Sequence, residues 1–260
     1  LLQEVSGLGM ERGELAGKIC LVTGSSRGIG AAIARAAADQ GAGVVIHYRH
    51  SAREASALLS ELETKGTRAL AVQADVGDER AVDAMFSLVE QKMGTVDLLV
   101  NNAGISLRKL ITDTSIEDWY RVMDTNLKGV FLCSRRAVSP MIRQRYGRIV
   151  NIASIWGLHA GAMESVYAAS KGGVVALSKS LATELGPSGI TVNAICPGPV
   201  ETALLKAELD TGELEALAAD LPLGRLASPG DVAELCAFLL SERAAYINGQ
   251  VITLDGGWKA

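Results

Sequence analysis

Tyr167 and Lys171 stand four residues apart in a stretch with helical spacing, so their side chains share one face of a helix. A phenol titrates at about pH 10, too high for easy proton exchange at neutral pH, but a neighbouring ammonium favours the phenolate and lowers that value. The pair suits a general acid acting on a carbonyl oxygen, or a base acting on an alcohol. Taken alone, such a pair is a common coincidence on a helix surface. Ser154 gives it weight, because it falls at the end of the strand expected just before that helix. Its hydroxyl can hydrogen-bond a substrate carbonyl and stabilise the charge that develops there.

A second constellation lies near the start of the chain. A short apolar run ends in Thr23-Gly24-Ser25-Ser26-Arg27-Gly28-Ile29-Gly30, where a helix begins. Gly24 permits a tight turn, Gly28 lets backbone approach a pyrophosphate, and Gly30 lets helix and strand pack closely. The helix N-terminus would offer free N–H groups and the positive end of its dipole to phosphates. An ordinary glycine-rich loop is the plainer reading of three glycines alone.

The elements that must position these groups alternate along the chain. Apolar runs rich in β-formers predict strands over 19–23, 44–48, 69–73, 96–100, 148–153, 190–196 and 250–254. Helical spacing predicts helices over 29–40, 52–65, 79–93, 116–124, 127–145, 166–185 and 229–240, with Gly66 as a C-cap. Residues 200–221 read as a polar, helical insertion. Strands alternating with helices, and nearly continuous in Val, Ile and Leu, predict an α/β fold: one doubly wound, Rossmann-type parallel sheet of about seven strands.

Composition agrees with that class. The chain has 260 residues, 48% of them hydrophobic and 21% charged, with a net charge of −4, which excludes disorder and gives no basic nucleic-acid footprint. The densest basic stretch, Arg135 to Arg148, reads as a solvated helix face. Four dispersed cysteines, three of them in apolar surroundings, give no zinc or redox motif and fit a reducing compartment. No His, Cys or carboxylate cluster suggests a metal. Without a signal pattern or a long apolar run, a cytoplasmic location is expected. Residues 1–12 are expected to be a flexible N-terminal segment or a cloning remnant ahead of a start at Met10, and 13–260 the dinucleotide-binding domain.

The spacing Gly-x-x-x-Gly-x-Gly resembles that of the short-chain dehydrogenase/reductase family. Other matches keep its order: Asn101-Asn102-Ala103-Gly104 after the fourth strand, then Asn126, Ser154, Tyr167/Lys171 and Pro197-Gly198. They run from Lys18 to Gly257, nearly the whole chain. The resemblance implies that Asn126, Ser154, Tyr167 and Lys171 form the catalytic set. Lys171 would also hold the nicotinamide ribose, and Asn126 would anchor a proton-relaying water. Residue by residue, it places the cofactor on Gly24, Ser26, Arg27, Gly28, Ile29, Gly30, Arg49, Asp75, Val76, Asn102, Ala103, Gly104, Tyr167, Lys171, Pro197, Gly198, Val200 and Thr202.

The end of the second strand, His47-Tyr48-Arg49, lacks the carboxylate that would select NAD. With Arg27, it offers two guanidiniums and favours NADP (NADPH), because arginine suits a phosphate; a solvent-exposed Arg49 is the plainer alternative. The substrate is less legible. Overall the chain looks closest to 3-oxoacyl-[acyl-carrier-protein] reductases, which implies fatty acid biosynthesis and a 3-oxoacyl thioester on acyl carrier protein or CoA. Of the two arginines that dock carrier protein in that group, Arg145 is present and Ser188 replaces the other.

Ser154-Ile155-Trp156-Gly157 and Glu164-Ser165-Val166-Tyr167 also resemble reductases of 5-aminopentanone-modified elongation factor P. There Glu164 would attract an amino group; otherwise it is a surface carboxylate at a helix N-terminus. His159 is either a substrate contact or an ordinary loop residue. Sugar or polyol oxidation and a non-catalytic dinucleotide sensor are further alternatives, although sensors typically lack the Tyr/Lys pair kept here. Relatives carry a mobile substrate lid where Glu201, Glu208, Asp210, Glu213 and Glu215 lie, an acidity unsuited to a polyanion. The family resemblance implies a homotetramer packed through the helices flanking Asn126 and Tyr167, and apolar runs there, including Val130, Phe131, Leu132, Val174, Val175 and Leu177, agree with it.

Overall fold

The computed structural model describes residues 13–159 and 161–259; the expectation for residues 1–12 lies outside the described residues. Chain order is β1 (Ile19–Val22), α1 (Gly28–Asp39), β2 (Gly43–Tyr48), α2 (Ala52–Thr64), β3 (Ala69–Gln73), α3 (Glu79–Lys92), β4 (Leu98–Asn101), α4 (Ile116–Met123), α5 (Gly129–Gln144), β5 (Gly147–Ile152), α6 (Ser165–Leu185), β6 (Ile190–Pro197), α7 (Ala203–Glu208), α8 (Thr211–Asp220), α9 (Pro229–Leu240) and β7 (Val251–Leu254).

All strands are parallel, in the order β3-β2-β1-β4-β5-β6-β7. Strand side chains alternate between two buried faces. Cys20, Val22, Val44 and Ile46 pack with α1, α2 and α9, whereas Leu21, Val45, Leu99 and Ile149 pack with α3, α5 and α6. Both faces are dry, which explains the continuous apolar runs. The order reverses at β1, since β2 lies on one side of it and β4 on the other. Crossovers therefore diverge there, and a crevice opens at the carboxyl ends of the strands.

Local chemistry sets the element ends. Ser115 with Asp118, Asp210 with Glu213, and Ser228 with Asp231 close reciprocal capping boxes on α4, α8 and α9. Gly66 follows α2 at φ +81, the left-handed conformation that its capping role requires.

Three expectations need correction and one gains detail. The helices expected over 116–124 and 127–145 are continuous, joined by a π-helical turn over Asp124–Lys128 in which Asn126 is fully buried. The insertion at 200–221 is helical as expected, as the two helices α7 and α8. All four cysteines are buried, not three. Arg148 is no solvated cation: it is buried, donates to the Gly147 and Gly189 carbonyls, and pairs with Glu242.

The apolar runs on α5 and α6 also divide. Val130, Leu132, Val174 and Val175 are buried within the chain, whereas Phe131 on α5 and Ile116, Trp119 and Tyr120 on α4 are exposed. Among the described residues, no helix is long and apolar enough to cross a membrane.

Candidate active site

The loop between β1 and α1 is shaped by what its glycines lack. Gly24 has φ +63, and a Cβ there would stand 2.8 Å from the Ala103 Cα. A Cβ on Gly30 would stand 2.4 Å from the Gly24 carbonyl oxygen. Both positions exclude any larger residue, so the loop can lie against the end of β4. Thr23 and Asn102 tie the two strand ends together. The Thr23 Oγ1 accepts from the Asn102 and Ala103 N–H groups, at 2.9 and 3.0 Å. The Asn102 amide donates to the Thr23 and Gly24 carbonyls, at 2.9 and 3.0 Å.

The first turn of α1 carries no acidic side chain, so its positive end stays open to an anion. With Arg27 and Arg49 nearby, this cradle fits a phosphate-bearing dinucleotide. Asp75, just past β3, brings a carboxylate to Arg49. It pairs with Arg49 at 2.9 Å, so both charges occupy the end of the crevice beyond β2 and β3.

At the other end, Lys171 is buried, and its Nζ donates to the Ile152 carbonyl at 2.8 Å. The ammonium lies 5.8 Å from the centre of the Tyr167 ring. Burial pushes the Lys171 pKa down to about 8, partly offset by Cys196. Ser154 follows β5, and its Oγ accepts from the Trp156 N–H at 3.2 Å. The Asn126 Oδ1 accepts from the Ile105 N–H at 2.8 Å. Its amide group donates to the Ile105 carbonyl at 2.9 Å and to the Ser170 Oγ at 3.1 Å. Ser170 in turn donates to the Tyr167 carbonyl at 2.7 Å. From the π-turn, Asn126 thus clamps the Ile105 loop against α6.

One cleft of about 1100 Å³ takes in Ser154, Tyr167, Lys171 and every predicted cofactor residue. Of the predicted site residues only Asn126 does not line it; it stands behind the wall.

Several groups depart from the sequence reading. Glu164 is buried and lines the cleft, which corrects the surface alternative, whereas His159 is exposed and does not line it. Residues 200–221 present Leu204, Leu205, Leu209 and Leu217 to the cleft. Of their acids, Glu201 pairs with Lys206, and Glu213 closes a cap with Asp210. Trp156 and Trp258 meet edge to face across the same cleft, with ring centres 5.4 Å apart. Sequence reasoning missed Ser170, Trp258 and His47. Of these only His47 left a signal, as a polar residue inside an apolar strand.

The matching family model is described as "Enoyl-(Acyl carrier protein) reductase" and spans residues 24–259. The 3-oxoacyl-[acyl-carrier-protein] reductase FabG of Staphylococcus aureus is 42% identical over 240 residues, covering 92% of this chain and 97% of the relative. A putative gluconate dehydrogenase from Agrobacterium tumefaciens superposes with a TM-score of 0.90 at 37% identity, covering 94% of this chain and 96% of its own. A metagenomic blue fluorescent protein crystallised with NADPH superposes with a TM-score of 0.89 at 38% identity, covering 95% of this chain and all of its own.

The buried ammonium generates a stability prediction. A lysine whose folded pKa is depressed from 10.5 to about 8 destabilises the fold fully below pH 8, and the penalty fades as pH rises toward 10.5. The melting temperature of the wild type should therefore gain on that of Lys171→Met between pH 7 and pH 9.5. The gain should be at most about 2 kcal/mol, or a few degrees for a chain of this size. Parallel melting curves that keep a constant gap would remove the buried charge as a cost.

Proposed function

The chain belongs to the short-chain dehydrogenase/reductase family, and on that premise we propose an NADPH-dependent oxidoreductase that reduces the ketone of a 3-oxoacyl thioester to a secondary alcohol. The observation that carries this reading is the convergence of Ser154, Tyr167 and Lys171 on a cleft whose lid side is leucine. NADPH, when bound, supplies a hydride to the carbonyl carbon. The Tyr167 phenol donates its proton to the carbonyl oxygen, and the Ser154 hydroxyl holds that oxygen by a hydrogen bond as charge builds on it. The Lys171 ammonium favours the phenolate that remains and holds the nicotinamide ribose. Asn126 keeps the Ile105 loop and the start of α6 in register behind them, and anchors the water of the proton relay.

Arg27 and Arg49 would meet the 2′-phosphate, and Asp75 and Val76 the adenine. Residues 200–221 serve as the substrate lid in this reading. Their four leucines suit an acyl chain better than a polyol, because apolar lining gains from dehydration and offers no partner to hydroxyls. Glu164 supports a second reading, an amino-ketone, since a buried carboxylate in the cleft favours a cation. A panel of 3-oxoacyl, enoyl and amino-ketone substrates and sugars, followed by NADPH oxidation, tests the proposal. The 3-oxoacyl thioesters should lead; activity confined to another class would redirect the reading, and none with any would favour the sensor.

Arg145 is exposed and precedes β5, roughly 20 Å along that strand from the Ser154 end, and it donates to the Pro187 carbonyl. A carrier protein held by Arg145 therefore needs a second subunit to bring that edge near a cleft. We accordingly propose the homotetramer, with the exposed Trp119, Tyr120 and Phe131 as its contacts. Light scattering at micromolar concentration should report about four subunits; a monomer would refute it.

For the cofactor, Arg49→Asp places a second carboxylate beside Asp75 and removes the charge-assisted contact to the 2′-phosphate. The ratio of kcat/KM with NADPH to that with NADH should fall by about 10- to 100-fold, with Arg27 retaining part of the preference. An unchanged ratio would take selection away from Arg49.

A further inference from the structure

His47 interrupts the apolar run of β2 and is buried at 2% exposure at the edge of the cleft. A buried imidazole needs partners for both nitrogens, and this ring has them in different loops. Its Nδ1 accepts the Gly24 N–H at 2.9 Å, and its Nε2 faces the Ala74 carbonyl at 3.1 Å. Those partners fix the tautomer: Nδ1 bare, Nε2 carrying the proton. The backbone of His47 continues the connection. Its carbonyl accepts the Ser25 N–H at 2.9 Å, and its N–H donates to the Ser25 Oγ at 3.1 Å, which itself donates to the Val22 carbonyl at 2.7 Å.

Three consequences follow. The N–H groups of Gly24 and Ser25 are turned inward to His47, so the phosphates are left to the first turn of α1. Gly24, at φ +63, is held by an acceptor that no backbone carbonyl supplies there. Ala74 directly precedes Asp75, the partner of Arg49, so the same ring touches the loop at each end of the dinucleotide cradle.

We propose that His47 is a positioning residue for the dinucleotide: its imidazole is a strut that sets the spacing between the phosphate loop at Gly24 and the adenosine end at Ala74–Asp75. The proposal rests on the reading that the cleft holds NADPH. Burial brings the His47 pKa down to about 4, against the opposing pull of the Ala74 carbonyl and Asp75, so the ring stays neutral at neutral pH.

The test compares wild type, His47→Leu and His47→Asn as full chains. Asparagine's side-chain oxygen can stand where Nδ1 stands; leucine offers no acceptor. Three quantities are read: the Kd for NADPH by fluorescence, kcat at saturating NADPH, and hydrogen exchange of the Gly24 amide without cofactor. His47→Leu should weaken NADPH by about ten-fold, the worth of one buried hydrogen bond, and speed Gly24 exchange, with kcat nearly unchanged. His47→Asn should recover most of the affinity and of the protection. A His47→Leu variant with wild-type affinity, or a folded His47→Asn no better than leucine, would overturn the strut.

If His47→Leu fails to fold, the wild type still decides through the ¹⁵N shifts of its imidazole. A bare Nδ1 and a protonated Nε2 are expected, and the opposite tautomer overturns the proposal. A wild type that binds neither NADPH nor NADH would instead overturn the cofactor reading, and Gly24 exchange would still test the strut.

Discussion

The hydrogen bonds between Thr23 and Asn102 join the ends of β1 and β4, where the strand order reverses. Everything in the cleft is placed relative to that junction. On one side, the glycine loop turns over it into α1, and His47 reaches the loop from β2. On the other, Ala103 and Gly104 lead to the Ile105 loop that Asn126 clamps. The joint tolerates no side chain at Gly24 or Gly30, because each is pressed on the neighbouring backbone. A parallel sheet opens a crevice at this point by topology alone. The Thr23–Asn102 pair turns that crevice into one with fixed walls.

The two ends of the cleft solve different electrostatic problems. Beyond β2 and β3, Arg49 and Asp75 are partly exposed and solvent-screened, so their pairing contributes little stability and leaves the guanidinium available to a stronger anion. Beside Tyr167, the Lys171 ammonium is buried and donates to the Ile152 backbone carbonyl. That burial costs stability and makes the ammonium's field strong, since water no longer screens it. A charge kept at such a cost beside a phenol is what proton transfer to a carbonyl calls for.

Short-range patterns made the fold and much of the site legible. Gly24, Gly28 and Gly30 lie within one loop, Tyr167 and Lys171 on one helix, and each strand shows as its own apolar run. What stayed hidden depends on partners far along the chain. His47 meets Gly24 and Ala74, 23 and 27 residues away, and Asn126 meets Ser170, 44 away. Charge reading failed where a side chain's direction decides its meaning. Glu164 is buried rather than solvated, Arg148 is buried under Glu242, and in residues 200–221 Glu201 pairs and Asp210 and Glu213 cap while leucines face the cleft. None of these is encoded by residue type alone, because burial is a property of the assembled layers.

The central claim is that the Tyr167 hydroxyl delivers the proton in ketone reduction. Its most direct test is Tyr167→Phe, which removes one oxygen and keeps the ring, assayed for NADPH affinity and single-turnover reduction together. The account predicts unchanged NADPH binding and reduction slowed by about 100- to 10,000-fold, the usual cost of losing a general acid. A variant that binds NADPH and keeps most of its rate would contradict it.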